Sequence, residues 1–316
     1  MKKLIPILCL LSFITFFAAS AEQFPAPVFK IEPVFHGTWG NASDQIGVSW
    51  IASGVFREGI KTGPSAFHVD DENRVWISDS MNKRMVCFAP GGKTSLFKLS
   101  EGIPSDFSVS SGSIFICMAE SPAIIKYNLQ TGEVQSSIQV PWKSPNRMLF
   151  ISEDLIAIEN QSSELWIYRK GKWFLYPSDA MEPAGTKENI FGIAYYGIEN
   201  QRKILVAPWF YEQGEPETYS EVELPGDKIV FSKILGVDSH GIPVFAAVSR
   251  NHENILRMFS FDKDGNAFEI CALPVLQGPH LVSQWIFEKN DRIFGFSGDE
   301  KGFTIYEANL KEKISH

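Results

Sequence analysis

The chain has 316 residues, 44% of them hydrophobic, and carries 37 acidic against 29 basic side chains, a formal charge of −8 at pH 7. That length holds one large all-β domain. The acidic excess leaves no basic stripe to neutralise phosphates, so a nucleic-acid partner is not expected, and adhesion to an anionic membrane is disfavoured on the same ground.

Met1-Lys2-Lys3 is a short basic start, Leu4 to Ala18 is almost wholly apolar, and Ala19-Ser20-Ala21 supplies small residues for cleavage. The pattern predicts a signal peptide over residues 1–21 and a mature single domain over 22–316, exported to the periplasm or the cell exterior. Cys9 follows Leu8, where a lipoprotein signal would want a small residue. Loss of Lys2 and Lys3 leaves 27 basic residues and a mature charge near −10. No later apolar run is long enough to span a bilayer, so no membrane insertion is expected.

Val28 to Trp39 is apolar and belongs to no repeat of its own. After it the chain becomes periodic. Pro64, Pro104 and Pro145 fall 40 and 41 residues apart, each followed by an apolar patch: Val75-Trp76-Ile77, Ile114-Phe115-Ile116, Leu155-Ile156-Ala157-Ile158. A second patch ends in Phe88, Tyr127 and Tyr168, and a turn glycine follows at Gly92, Gly132 and Gly171. A period of this length marks propellers and related repeat folds. In the first unit Ala66–Asp70, Arg74–Ser78, Arg84–Ala89 and Thr94–Leu99 read as four strands divided by turn clusters. Four antiparallel strands in forty residues make a propeller blade.

The second and third units run over 104–143 and 145–176. The fourth, over 188–225, takes Lys203 to Ala207 as its second strand and Thr218 to Leu224 as its outer one. The fifth covers 226–276. The sixth starts at Gly278-Pro279 and shows three strands, Val282–Phe287, Arg292–Phe296 and Phe303–Glu307. Residues 28–39 supply the missing fourth and remove a sheet edge. The expected fold is therefore an all-β, six-bladed β-propeller whose last blade is closed by the N-terminal strand.

The run Gly63 to Asp70, then Val75-Trp76-Ile77-Ser78-Asp79-Ser80 with Asn82, Arg84 and Phe88, resembles an NHL-type repeat. Trp39-Gly40 and Ile46-Gly47 ahead of it look like the lead-in of related bacterial six-bladed propellers. The close match covers residues 39–92. The resemblance implies a six-bladed propeller and, since most members of the group are binding platforms, little chemistry.

Ligands of propellers usually meet the face that carries the loops from second to third strands. The second-strand ends expected there are Asp79, Met118, Glu159, Pro208, Val248 and Ser297. Two carboxylates fall short of the oxygen set a hard cation wants, and Asp79 suits capping of the Asp79–Asn82 turn. Zinc needs three protein ligands and an open position; the inner strands offer one imidazole, His68, with His252 and His280 on loops. No nucleophile elbow and no phosphate loop is present. No catalytic residue and no cofactor is expected. If a metal site exists at the central mouth, as in lactonase-like or amidating-lyase-like hydrolases and lyases, His68, Asp79 and Glu159 are its candidates.

The loop from Pro208 to Tyr219 has four aromatics and four glutamate or glutamine side chains in twelve residues. Flat rings beside polar groups suit a protein or glycan partner. Trp209, Tyr211, Glu212 and Tyr219 are the candidate ligand-binding residues, joined by Arg147 and Trp142 on a neighbouring loop, although aromatics of this kind also pack between blades. The mature cysteines Cys87, Cys117 and Cys271 are odd in number and sit in apolar strand patterns. That favours three free core thiols over one disulfide.

Overall fold

A computed structural model describes residues 31–48, 63–99, 102–110, 112–142, 145–160, 162, 164–176, 180–185, 189–195, 202–208, 218–222, 229–249, 255–261, 267–274, 286–299 and 301–309. The described strands build six sheets in chain order, antiparallel except for one short pair, with β1 (Glu32–Trp39) and β2 (Gln45–Ile46) joining the last of them. The first sheet is β3 (Phe67–Val69), β4 (Val75–Asp79), β5 (Arg84–Phe88) and β6 (Thr94–Lys98). The second is β7 (Pro104–Ser110), β8 (Ser113–Met118), β9 (Ala123–Asn128) and β10 (Val134–Gln139). The third is β11 (Pro145–Ser152), β12 (Leu155–Asn160), β13 (Leu165–Arg169) and β14 (Lys172–Leu175).

The fourth sheet holds β15 (Ala180–Gly185), β16 (Asn189–Tyr195), β17 (Arg202–Pro208) and β18 (Thr218–Val222). The fifth holds β19 (Ile229–Val237), β20 (Pro243–Ser249), β21 (Ile255–Phe261) and β22 (Ala267–Pro274). The last runs β23 (Ile286–Lys289), β24 (Arg292–Gly298), β25 (Gly302–Asn309), β1, β2.

Burial explains why the apolar patches are continuous rather than alternating. Second strands β4, β8 and β12 are buried at every residue, while outer strands β6 and β10 are mostly exposed. A strand covered on both faces has no polar side to show. Each sheet shares a core with the next. Trp76 and Met85 pack with Ile114 and Ile116, and Phe115 and Ile124 with Met148 and Ile156. Leu165 and Ile167 pack with Ile190, and Ala184 with Ile234 and Phe245. One further cluster joins Leu256 and Met258 of the fifth sheet to Ile293 of the last and to Phe67 and Ile77 of the first. Phe67 meets Phe287 at 5.0 Å between ring centroids, and Phe35 of β1 meets Phe88 at 4.6 Å. Sheets packed face to face in sequence order make a propeller arrangement.

The turns follow from side chains that hydrogen-bond locally. Asp70 Oδ1 accepts from the amides of Glu72 and Arg74 at 3.0 and 2.9 Å, and Asn73 between them holds φ 57°. Short Asx side chains are the residues that make such turns cheaply. Cys87 and Cys117 are free and buried; Cys271 has its side chain outside the described residues.

β1 pairs antiparallel with β25, from Glu32 opposite Glu307 to Thr38 opposite Gly302. Residues 28–30 of the expected strand lie outside the described residues. A second strand, β2, adds to β1 in parallel through Thr38–Gln45 and Trp39–Ile46, a pairing the apolar pattern does not reveal.

One expectation is corrected. Lys203 to Ala207 belongs to β17, the third strand of its sheet and not the second, because β15 precedes β16. Pro183 and Gly185 make β15 read as a turn. A register shift between Met181 and Ala184 lets the strand carry its proline, which cannot donate to the ladder. The inner strand of the last sheet is described over Ile286–Lys289; residues 282–285 of the expected strand lie outside the described ones. No helix among the described residues is long and apolar enough to cross a membrane.

Candidate functional site

One end of the sheets gathers the beginnings of the inner strands, the ends of the second strands and the turns to the third. Asp79, at the end of β4, has 0% exposure. Its Oδ1 accepts from the amides of Gly47 at 3.1 Å and Asn82 at 3.2 Å; its Oδ2 accepts from Asn82 Nδ2 at 2.8 Å and Arg84 Nε at 2.7 Å. Arg84 then donates to the carbonyls of Ala42 at 2.8 Å and Gln45 at 2.7 Å. The carboxylate is thus satisfied on both oxygens within the fold.

Arg147 and Glu159 are cross-strand neighbours on β11 and β12, and both are buried. Arg147 Nη2 donates to the Ile234 carbonyl of β19 at 3.1 Å, so it reaches from the third sheet to the fifth. Asp106 on β7 and Lys233 on β19 are further buried ionisable groups on inner strands. Asp106 accepts from the Phe107 amide at 2.8 Å and the Met148 amide at 2.7 Å. Burial pushes its carboxyl up to about 6, against those two amides and the charges of Arg147 and Lys233, which pull it down. A carboxyl so placed can carry a proton near neutrality. The sequence reading missed Asp106 and Lys233. A charged residue at an inward position of a strand is the signal that marks them, but the Met148 amide that Asp106 holds lies 42 residues away.

His68, on β3, stacks on Phe287 at 5.8 Å and meets the edge of Phe107 at 6.4 Å. Its Nε2 is closed off from solvent and makes no hydrogen bond. Burial first, and Lys289 second, pull its pKa down to about 3, so it is neutral. Among the described residues no three His, Cys, Asp or Glu side chains lie together as a metal-holding group. His68, Asp79 and Glu159 are therefore not brought together as one.

Trp209, Tyr211 and Glu212 lie outside the described residues, and Tyr219 is on β18 with its side chain likewise outside them. The loop that holds the first three joins a third strand to a fourth, not a second to a third. Its strand ends are therefore at the opposite end from Asp79 and Glu159, and the second strand of the fourth sheet ends at Tyr195, not Pro208. Trp142 lies 4.7 Å from Trp166 and 5.3 Å from Trp173 and packs onto the core between the second and third sheets. It is a wedge between sheets.

An open cleft of about 320 Å³ opens at the β24–β25 turn, where β1 pairs with β25. His36, Asp299, Lys301, Thr304 and Tyr306 stand around it, and Phe303 contributes a buried ring. Nothing in the sequence pattern points to it, because its residues come from both ends of the chain.

No protein-family model matches the chain, and no curated protein matches it. Solved structures do. A Bacteroides fragilis protein described as exported is 9% identical, with 89% of this chain and 95% of that one covered and a TM-score of 0.51. Hydrazine synthase of Kuenenia stuttgartiensis is 11% identical over 78% of this chain and 76% of that one, also at 0.51. Virginiamycin B lyase from Staphylococcus aureus is 12% identical over 89% of this chain and 99% of that one, at 0.48. At these identities the likeness is one of fold: an all-β propeller.

Proposed function

We propose that this chain is an exported binding module and that its six sheets are the blades of a closed, NHL-repeat-like propeller. On this reading residues 1–21 are removed on export to the periplasm or cell exterior, and residues 22–316 form one domain. The pairing of β1 with β25 supports closure, since it gives the last blade its outer strand from the other end of the chain.

The observation that carries the binding reading is that three buried ionisable groups, Asp79, Asp106 and Arg147, are already engaged by the fold. Asp79 accepts from Gly47, Asn82 and Arg84. Asp106 accepts from two backbone amides, and Arg147 donates to Ile234. A catalytic group needs capacity left for substrate within hydrogen-bond reach.

The test is to purify the mature chain without chelators, measure its metal content, and pass an envelope extract over it immobilised. A partner that is retained and that chelator does not release supports the reading. One tightly bound ion per chain, removed together with a hydrolase or lyase activity, would overturn it in favour of metal chemistry at the central mouth.

A further inference from the structure

We propose that the cleft beside the β24–β25 turn is a subsite for a neutral sugar. The inference rests on the binding-module reading and adds the class of ligand and its place. The cleft is shaped by a close approach of two strands. A Cβ on Gly37 would run into the Phe303 ring, and one on Gly302 into the Gly37 carbonyl, so only glycine fits where β1 and β25 pair beside the cleft. Its volume, about 320 Å³, is at the lower end of small-molecule sites.

The lining has hydrogen-bonding capacity in both directions. His36 Nδ1 is paired to Thr304 Oγ1 at 3.0 Å, and among the described residues its other ring nitrogen has no partner. The Tyr306 hydroxyl and the Lys301 ammonium make no hydrogen bond or ion pair there either. Asp299 uses Oδ1 to accept from the amides of Lys301 at 2.7 Å and Gly302 at 2.9 Å, leaving Oδ2 open. Those two amides, first, hold its carboxyl below the usual range, so it is an acceptor at neutral pH. Donors and acceptors thus stand side by side with the Tyr306 side chain.

That chemistry selects among ligands. An anion meets Asp299, and a cation meets Lys301. A divalent metal finds one carboxylate where it wants many oxygens. An apolar molecule would bury polar groups without partners, which is costly. A sugar brings hydroxyls that both donate and accept, and a C–H face that lies against an aromatic ring.

Saturation-transfer NMR on the mature chain, with D-glucose, D-galactose, D-mannose and N-acetyl-D-glucosamine added singly as free sugars, tests this. At least one sugar should receive saturation, and its affinity should fall about tenfold in Tyr306→Ala and in His36→Ala. Should either variant fail to fold, Lys301→Ala, an exposed turn position, reads the same site. No transfer to any of the four sugars overturns the inference, as does equal binding by folded variants. A partner retained from envelope extract equally by wild type and Tyr306→Ala overturns the cleft assignment while the binding-module reading stands. Absence of both retained partner and sugar binding removes both.

Discussion

The Arg84 guanidinium, ion-paired to Asp79 at 2.7 Å, also holds the carbonyls of Ala42 and Gln45 and so fastens the N-terminal segment to the first sheet. Asp79 adds the Gly47 amide to the same clasp. Ile46, 0% exposed between them, packs with Phe67, Ile77 and Phe303. The Asp-Ser…Asn…Arg signature occurs in the first unit and not in the next two. In the first unit those residues grip the chain that completes the last sheet.

Arg84→Ala should therefore destabilise the protein by about 3–5 kcal/mol, because Asp79 is left buried without its cation. Urea unfolding measures the loss. Limited proteolysis should cut first within 41–47 in the variant. A loss below about 1 kcal/mol, the range of surface pairs, would show that the clasp does not hold the segment.

The repeat was legible because burial on both faces writes second strands as unbroken apolar runs, Val75-Trp76-Ile77 being the plainest. β15 was not legible, since Pro183 and Gly185 read as turn residues and only the partner strand β16 makes Ala180–Gly185 a strand. That one omission shifted the fourth unit by a strand and sent the aromatic loop to the wrong end of the sheets. The buried set Asp106, Arg147 and Lys233 was hidden for another reason. Three strands from three different sheets meet there, and nothing in spacing along the chain reports such a meeting. Asp79 was readable as a turn former because its Asn82 partner is local; its grip on Gly47, 32 residues back, was not.

His68 should make the protein acid-sensitive. Its folded pKa is about 3 against 6.5 for the free side chain, so between those values the unfolded chain binds the extra proton and stability falls as pH drops below about 6.5. His68→Phe keeps a ring against Phe287 and removes the titration. The variant should gain about 2 kcal/mol on wild type between pH 7 and pH 5, read as the difference of two denaturant midpoints. Parallel pH profiles for the two proteins would show that His68 is not held neutral. Asp106, raised to about 6, works in the opposite sense over about pH 4 to 6, which is why the comparison must be between variants and not a bare acid titration.

Glu288 gives the alkaline counterpart. It is buried, its Oε1 accepts from the Asp291 amide at 2.6 Å, and its Oε2 makes no hydrogen bond. Burial first, then the nearby charges of Asp291 and Asp238, push its pKa up to about 8 although that amide pulls it down. The folded state therefore holds a proton the unfolded chain releases at about 4.5, and stability is lost as pH rises through that window up to about 8. Glu288→Gln should be close to neutral at pH 5 and more stable than wild type by about 4 kcal/mol at pH 9. A constant difference across that range would mean that Glu288 is already ionised in the fold.

The last expectation separates packing rings from recognition rings. Trp142 packs with Trp166 and Trp173 on the core between the second and third sheets, so Trp142→Ala should cost about 3 kcal/mol of folding stability. Trp209 and Tyr211, if they recognise a partner, should behave otherwise. Trp209→Ala and Tyr211→Ala would each weaken binding by about 1–3 kcal/mol and leave thermal unfolding nearly unchanged. Because their loop joins a third strand to a fourth, partner binding through it and sugar binding at the β24–β25 cleft should be lost independently. A stability loss for Trp209→Ala as large as that for Trp142→Ala would make Trp209 another wedge between sheets, and the recognition surface would shrink to the residues around Tyr211.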